Sequence, residues 1–180
     1  MELFDAIKSR RSIRRYRPGA FAEEKLAKIL ESCNLAPSAG NLQAYCIIVV
    51  RDPDRKKAVA EAAFGQSFIV DAGVLLAFVA ELPLAEARYG ERASLYAVQD
   101  ATIACTVAHL MVTELGLGAC WIGAFDDVRM ADALEVPAPS RPVAVLAVGV
   151  PDQEPSARPR RDLGELVREE RYEGRGYAGP

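Results

Sequence analysis

Five arginines and a serine crowd into residues 10–18 (RRSIRRYRP) of a 180-residue chain whose net charge is −3. A guanidinium is a planar fork of donors that pairs bidentately with a phosphate or carboxylate, so such a cluster can grip an anion. Taken alone, the run fits a solvated basic loop equally well. Two further polar islands could share the work. The loop APSAGNLQ, residues 36–43, combines small residues that allow close approach with Ser38, Asn41 and Gln43 as directional hydrogen-bonding groups. By itself it reads as a helix-to-strand connection. Near the C-terminus, ARPRRDLGEL (residues 157–166) offers Arg158, Arg160 and Arg161, which alone read as a solvated tail. Together the three suit a ligand with a phosphate end and a large polar heteroaromatic end, provided that the tail folds back.

Other chemistries find little support. No GxxxxGK[ST] is present. Gly116-Leu117-Gly118 follows a helical pattern and precedes a strand, the reverse of the order a dinucleotide fingerprint needs, and Gly116 is better read as a helix C-cap. His109, the single histidine, stands in the middle of a helical pattern and reads as a helix-surface or interface residue. No Ser-His-Asp set, carboxylate pair or metal site can be assembled. Cys33, Cys46, Cys105 and Cys120 form no CxxC pair and lie in apolar surroundings, so reduced, buried thiols are expected.

The elements that must position these groups follow from periodicity. Helices are expected over residues 2–11, 22–35, 53–63, 94–115 and from Asp126 to Leu134, with Asp52 and Asp126 as caps and Pro53 at a first helical position. Residues 45–51, 73–80, 119–125 and 142–150 read as strands, because they are short, apolar and rich in β-branched types. The arginine run should be extended up to Pro18, and residues 81–91 read as a polar stretch. The helix over 94–115, apolar nearly all round, should be central or lie at a subunit interface. Gln99, Asp100, Thr106, His109 and Thr113 interrupt it, which argues against a membrane span. Half the residues are apolar and about a quarter charged, the composition of a soluble protein. Met1 opens straight into a charged amphipathic pattern with no signal peptide, and the expected location is the cytoplasm.

In this order and at similar separations, RRSIRRYRP after a first helix, APSAGNLQ before a strand, LGLGACWIGAF after a long helix and RPRRDLGELV near the C-terminus resemble the FMN-dependent nitroreductase family over nearly the whole chain. The resemblance implies an α+β protein, a three-layer α/β/α arrangement around a central, mainly antiparallel sheet, in an intertwined homodimer. Residues 1–150 would form the FMN-binding core, and 151–180 an extension wrapping the partner subunit. Arg10, Arg11 and Ser12 would hold the FMN phosphate and ribityl chain, and Arg14 would lie at the ring edge and tune it. Pro37, Ser38, Ala39 and Asn41 would come from the other subunit, with Gln43 supporting their loop. Backbone at Gly123 and Ala124 would face the ring, and Arg158 and Arg160 would close on the phosphate. Implied activity is transfer of hydride from NAD(P)H through the flavin, by a ping-pong mechanism, to a small-molecule acceptor such as a nitroaromatic or quinone. Arginines from both chain ends suit the two negative charges of a terminal phosphate. A cation beside the ring makes a side-chain acid or base unnecessary.

Two features depart from the family pattern. Ala44-Tyr45 stand where Pro-Trp is common, and residues 81–91 are short where larger members carry helices over the substrate. Two rival readings stay open: a flavoenzyme of the same fold that does not use nicotinamide (dehalogenating, desaturating or flavin-degrading), and a non-catalytic module binding anions or nucleic acid. The acidic balance and the lack of a basic helical stripe count against nucleic acid.

Overall fold

The structure, a computed structural model, describes residues 2–19, 21–177 and 179. Among them, four strands form one antiparallel sheet in the order β1-β2-β4-β3, with β1 at Tyr45–Val50, β2 at Val74–Ala80, β3 at Gly118–Ile122 and β4 at Arg141–Gly149. The central strand β2 (VLLAFVA) is buried along its whole length. It carries no polar alternation because helices cover both faces of the sheet.

Side-chain alternation divides the core accordingly. Val74, Leu76 and Phe78 of β2, with Ala144, Leu146 and Val148 of β4, face α2 (Glu23–Asn34) and the long α6 (Ala93–Glu114). Leu75 and Ala77, with Val145 and Ala147, face the opposite layer of α3 (Pro53–Ala62), α4 (Phe68–Asp71) and α7 (Asp127–Leu134). The result is three layers, α/β/α, as expected. Burial of each large aliphatic or aromatic core side chain, Phe78 for example, is worth roughly 1.5–3 kcal/mol.

Local rules set the helix starts. The Asp52 side chain accepts from the N–H of Arg55 at 2.8 Å, and Asp126 accepts from Arg129 at 2.9 Å, so both expected caps are present. The long helix is apolar enough by length and composition to cross a membrane. Its Ala97, Ala101, Ala104 and Ala108 side is instead packed into the core at 0% exposure.

Several expectations need correction. The first helix, α1, spans only Leu3–Ser9, since the backbone turns extended at Arg10. Residues 81–91 are not an open polar stretch. They form α5 (Leu82–Tyr89) with Pro83 near its start, followed by a 3₁₀ turn at Gly90–Arg92. The single helical turn α4 gave no periodic signal because it is too short. The strand read over 119–125 ends at Ile122, which leaves Gly123 and Ala124 in the exposed loop that follows. His109 is not on the helix surface: it is 6% exposed.

Candidate functional site

The arginine segment is laid along the edge of the sheet. Ser12 bridges Ala119 of β3, and the Ile13 N–H donates to the Ala119 carbonyl at 2.8 Å. Tyr16 bridges Pro151, and the Arg17 N–H donates to Val150 at 2.9 Å. Contacts with β3 and β4 bury Ile13 and Tyr16, while Arg14, Arg15 and Arg17 stay exposed. The buried Tyr16 hydroxyl lies 2.6 Å from the Ile13 carbonyl and 3.0 Å from that of Ala147, pinning the segment to β4. Arg15 and Arg17, which the sequence left without a role, both reach Asp152, at 3.5 and 3.7 Å. They fasten the start of the tail.

From that anchor the tail does fold back. Arg10, Arg11, Ser12 and Arg14 line one cavity of about 840 Å³ together with Arg158 and Arg160, and Phe4, Ile7 and Ala157 add apolar wall. Among the described residues, none of these five arginines has a carboxylate partner; Arg11 satisfies itself on the carbonyls of Lys8 and Arg10. Burial, and then repulsion from Arg160 and Arg11, pulls Arg10 below the ordinary arginine pKa. Arg14 is held over the ring of Phe68 at 5.8 Å, a cation–π contact, and also bonds the Cys120 thiol. A cluster of like charges gathered without a counter-ion is an anion site by construction. The volume lies within the range of about 300–1,000 Å³ usual for small-molecule sites.

Beneath the segment lie two titratable groups. Burial, with repulsion from Arg10, draws His109 down to about 4, against the pull of backbone groups at Ala119 and Arg11. Its ring is therefore neutral at neutral pH, and its enclosed Nε2 has no hydrogen-bond partner among the described residues. Burial pushes the Cys120 thiol up, opposed by Arg14 and Arg10, so it stays protonated.

The loop over residues 37–43 does not join that cavity. It stands beside α5 and the N-terminal half of α6, with a 3₁₀ turn at Ala39–Asn41. Pro37, Gly40 and Asn41 are exposed, while Ser38 and Ala39 are half-buried. Gln43 does support the loop: its N–H donates to Ser38 Oγ at 3.0 Å, and its amide donates to Asn34 of α2 at 3.1 Å. In place of the family's Pro-Trp, Ala44 is fully buried and the Tyr45 hydroxyl donates to the Cys33 carbonyl at 2.7 Å. Gly123 and Ala124 line neither region; Gln66 reaches the Ala124 carbonyl at 3.4 Å.

Six of the thirteen residues proposed from sequence thus meet in one cavity within a single chain. The loop residues sit elsewhere on the same chain. Phe4 and Ile7, which line the cavity, and Phe68, which lies under Arg14, went unnoticed in the sequence because apolar helix residues give no sign of such contacts. Asp100, which fixes the loop, looked like a mere interruption of an apolar helix.

The model of the Nitroreductase family matches residues 7–71 and 62–150. A protein of Thermus thermophilus called NADH dehydrogenase is 37% identical over 190 aligned residues, covering 90% of this chain and 93% of that protein. The Bacillus subtilis FMN reductase [NAD(P)H] is 32% identical, covering 95% of this chain and 74% of its own length. The solved structure of B. megaterium NfrA2 superposes with a TM-score of 0.89 at 30% identity, over 96% of this chain and 76% of that one.

Proposed function

The chain belongs to the nitroreductase family, and from that premise we propose that its arginine-lined cavity is the phosphate end of an FMN site in an NAD(P)H-dependent oxidoreductase. One observation carries the reading: five guanidinium groups from the two ends of the chain meet in one cavity without a carboxylate among the described residues. The donor set fits FMN, whose terminal phosphate is a dianion and whose ring needs apolar wall of the kind Phe4 and Ile7 supply.

Arg10, Arg11, Arg158 and Arg160 bind the phosphate, and the Ser12 hydroxyl adds a neutral donor. Arg14, steadied by Phe68, would place positive charge beside the bound flavin and so favour its reduction. Bound there, FMN supplies hydride acceptance from NAD(P)H and its later donation to a small acceptor such as a nitroaromatic or quinone. His109 stays neutral and Cys120 stays a thiol, so neither acts as a proton carrier at neutral pH. Because one cleft serves donor and acceptor in turn, the kinetics are ping-pong.

Pro37, Ser38, Ala39 and Asn41 are assigned to the cofactor of a second copy of the chain, with Gly123 and Ala124 near the ring. Two features support a homodimer. The loop lies outside its own arginine cavity, and α1 and the tail expose Leu3, Leu163, Leu166 and Tyr172. Residues 1–150 act as the core and 151–180 as an arm over the partner. Four unpaired cysteines suit a reducing compartment, the cytoplasm.

The test is direct. The purified protein should be yellow, bleach anaerobically with NADH or NADPH, and regain colour with a quinone. Replacing Arg10 by Ala should weaken FMN by about tenfold or more while leaving the apoprotein's melting temperature unchanged or higher, since a repulsion is removed. A colourless protein that takes up no FMN would sink the assignment.

A further inference from the structure

Asp100 is a carboxylic acid shut inside the protein, on the N-terminal half of α6 and 2% exposed. Among the described residues it forms no ion pair. Instead its two oxygens are given to the backbone: Oδ1 accepts from the N–H of Ala39 at 2.9 Å, and Oδ2 from the N–H of Ala44 at 3.4 Å. Those two N–H groups bracket the loop that carries Gly40, Asn41 and Gln43. A buried carboxyl group is costly unless hydrogen bonds satisfy it, so this contact fixes both the acid and the loop.

The loop needs fixing. Gly40, Asn41 and Gln43 adopt φ of 55°, 57° and 49°, left-handed values that glycine accepts readily and Gln resists. The turn's own hydrogen bonds, Asn41 N–H to the Ser38 carbonyl and Leu42 N–H to that of Ala39, are both 3.1 Å. They shape the turn but attach it to nothing. Arg88 touches the Gly40 carbonyl at 3.3 Å from an exposed side chain, which is a weak tether. The Gln43 amide ties the loop's end to Asn34 of α2, also at the surface, and Asp100 is the buried tether. It also lies on the helix whose His109, nine residues or about 13 Å further on, packs under the arginine segment. The same helix therefore gauges both halves of the composite site.

We infer that Asp100 is a positioning residue for cofactor binding, holding the 37–43 loop in the shape that presents Ser38 to Asn41 to the flavin. This rests on the reading that the loop reaches the cofactor of a second copy. The residue that replaces the family's frequent proline, Ala44, is one of the two that Asp100 grips; a proline there would have no N–H to offer.

Asp100→Asn keeps the volume but turns one acceptor into a donor aimed at an N–H. Purified apoprotein of this variant should remain a folded dimer by circular dichroism and sedimentation. It should bind FMN about tenfold or more weakly, with a changed visible spectrum of the bound flavin. Asn41→Ala, in the loop itself, should also weaken FMN. Val59→Ala, a core truncation in the opposite layer, should lower the melting temperature and leave FMN affinity within about twofold. Unchanged affinity in Asp100→Asn, with Asn41→Ala weakened, overturns the role of Asp100. Unchanged affinity in Asn41→Ala overturns the reading beneath it. Equal weakening by Val59→Ala reduces the effect to lost stability and overturns the positioning role. Hydrogen exchange on the wild-type chain provides a check that needs no variant. The Ala39 and Ala44 amides should be protected, and exchange at the rate of an unstructured peptide at either one refutes the proposal.

Discussion

His109 shows how a single residue ties stability to pH. Its folded-state pKa of about 4 lies below the ordinary 6.5, so protonation favours the unfolded chain. Full stability is present above about pH 6.5 and is lost as pH falls through 4, by about 3 kcal/mol at the limit. Replacing His109 by Gln should flatten the fall in melting temperature between pH 7 and pH 4.5; an unchanged slope would show that the burial does not control it. At this scale the sequence was most legible where charge gathered. RRSIRRYRP announced itself because five like charges need a reason. His109 was misread because its surroundings come from α1 and the arginine segment, which sequence periodicity cannot fold over a helix. Asp100 was invisible for the same reason, since its partners are backbone groups more than fifty residues away.

Among the elements, the arginine segment is the one whose function depends on how it is fastened. Tyr16 supplies the main fastening, with a buried hydroxyl within reach of carbonyls in its own segment and in β4. Tyr16→Phe leaves the ring's packing and removes the bond. Stability should drop by about 1–2 kcal/mol, read as a lower urea midpoint with an unchanged slope, and FMN affinity should drop with it. A loss of stability without loss of affinity would show that the segment keeps its shape unaided. Caps and strand cores were readable in advance, because Asp52, Asp126 and the runs around Ile48, Leu76 and Val145 obey local rules. The helix α5 was not. Glu81, Glu86, Arg88 and Glu91 make its stretch look solvated, and only packing of Ala85 against α6 decides that it coils.

For the whole molecule, the proposed homodimer would make cofactor affinity a property of assembly. Dilution through the range where sedimentation shows dimers giving way to monomers should release FMN, so its apparent affinity should depend on protein concentration. Affinity constant across that range would place the complete site within one chain. The three-layer class and the antiparallel character of the sheet were implied by the resemblance to the nitroreductase family that the motifs carry. The strand order β1-β2-β4-β3 could not, because each neighbour is reached through intervening helices and no local rule picks it.

Three arginines pressed together without a counter-charge also determine how the ligand-free chain ages. Arg160 and Arg161 are exposed and stand in the irregular stretch of the tail that precedes the short helical turn Leu163–Leu166. Repulsion from Arg10 and Arg11 works to lift that tail away. Trypsin-like proteases cut after such residues once a segment is loose enough to enter their clefts. On the proposed reading, a bound phosphate would reverse the local field and hold the tail down. The expected consequence is that an unloaded chain is clipped near its C-terminus while a loaded one survives, so the amount of intact protein follows the supply of its anion.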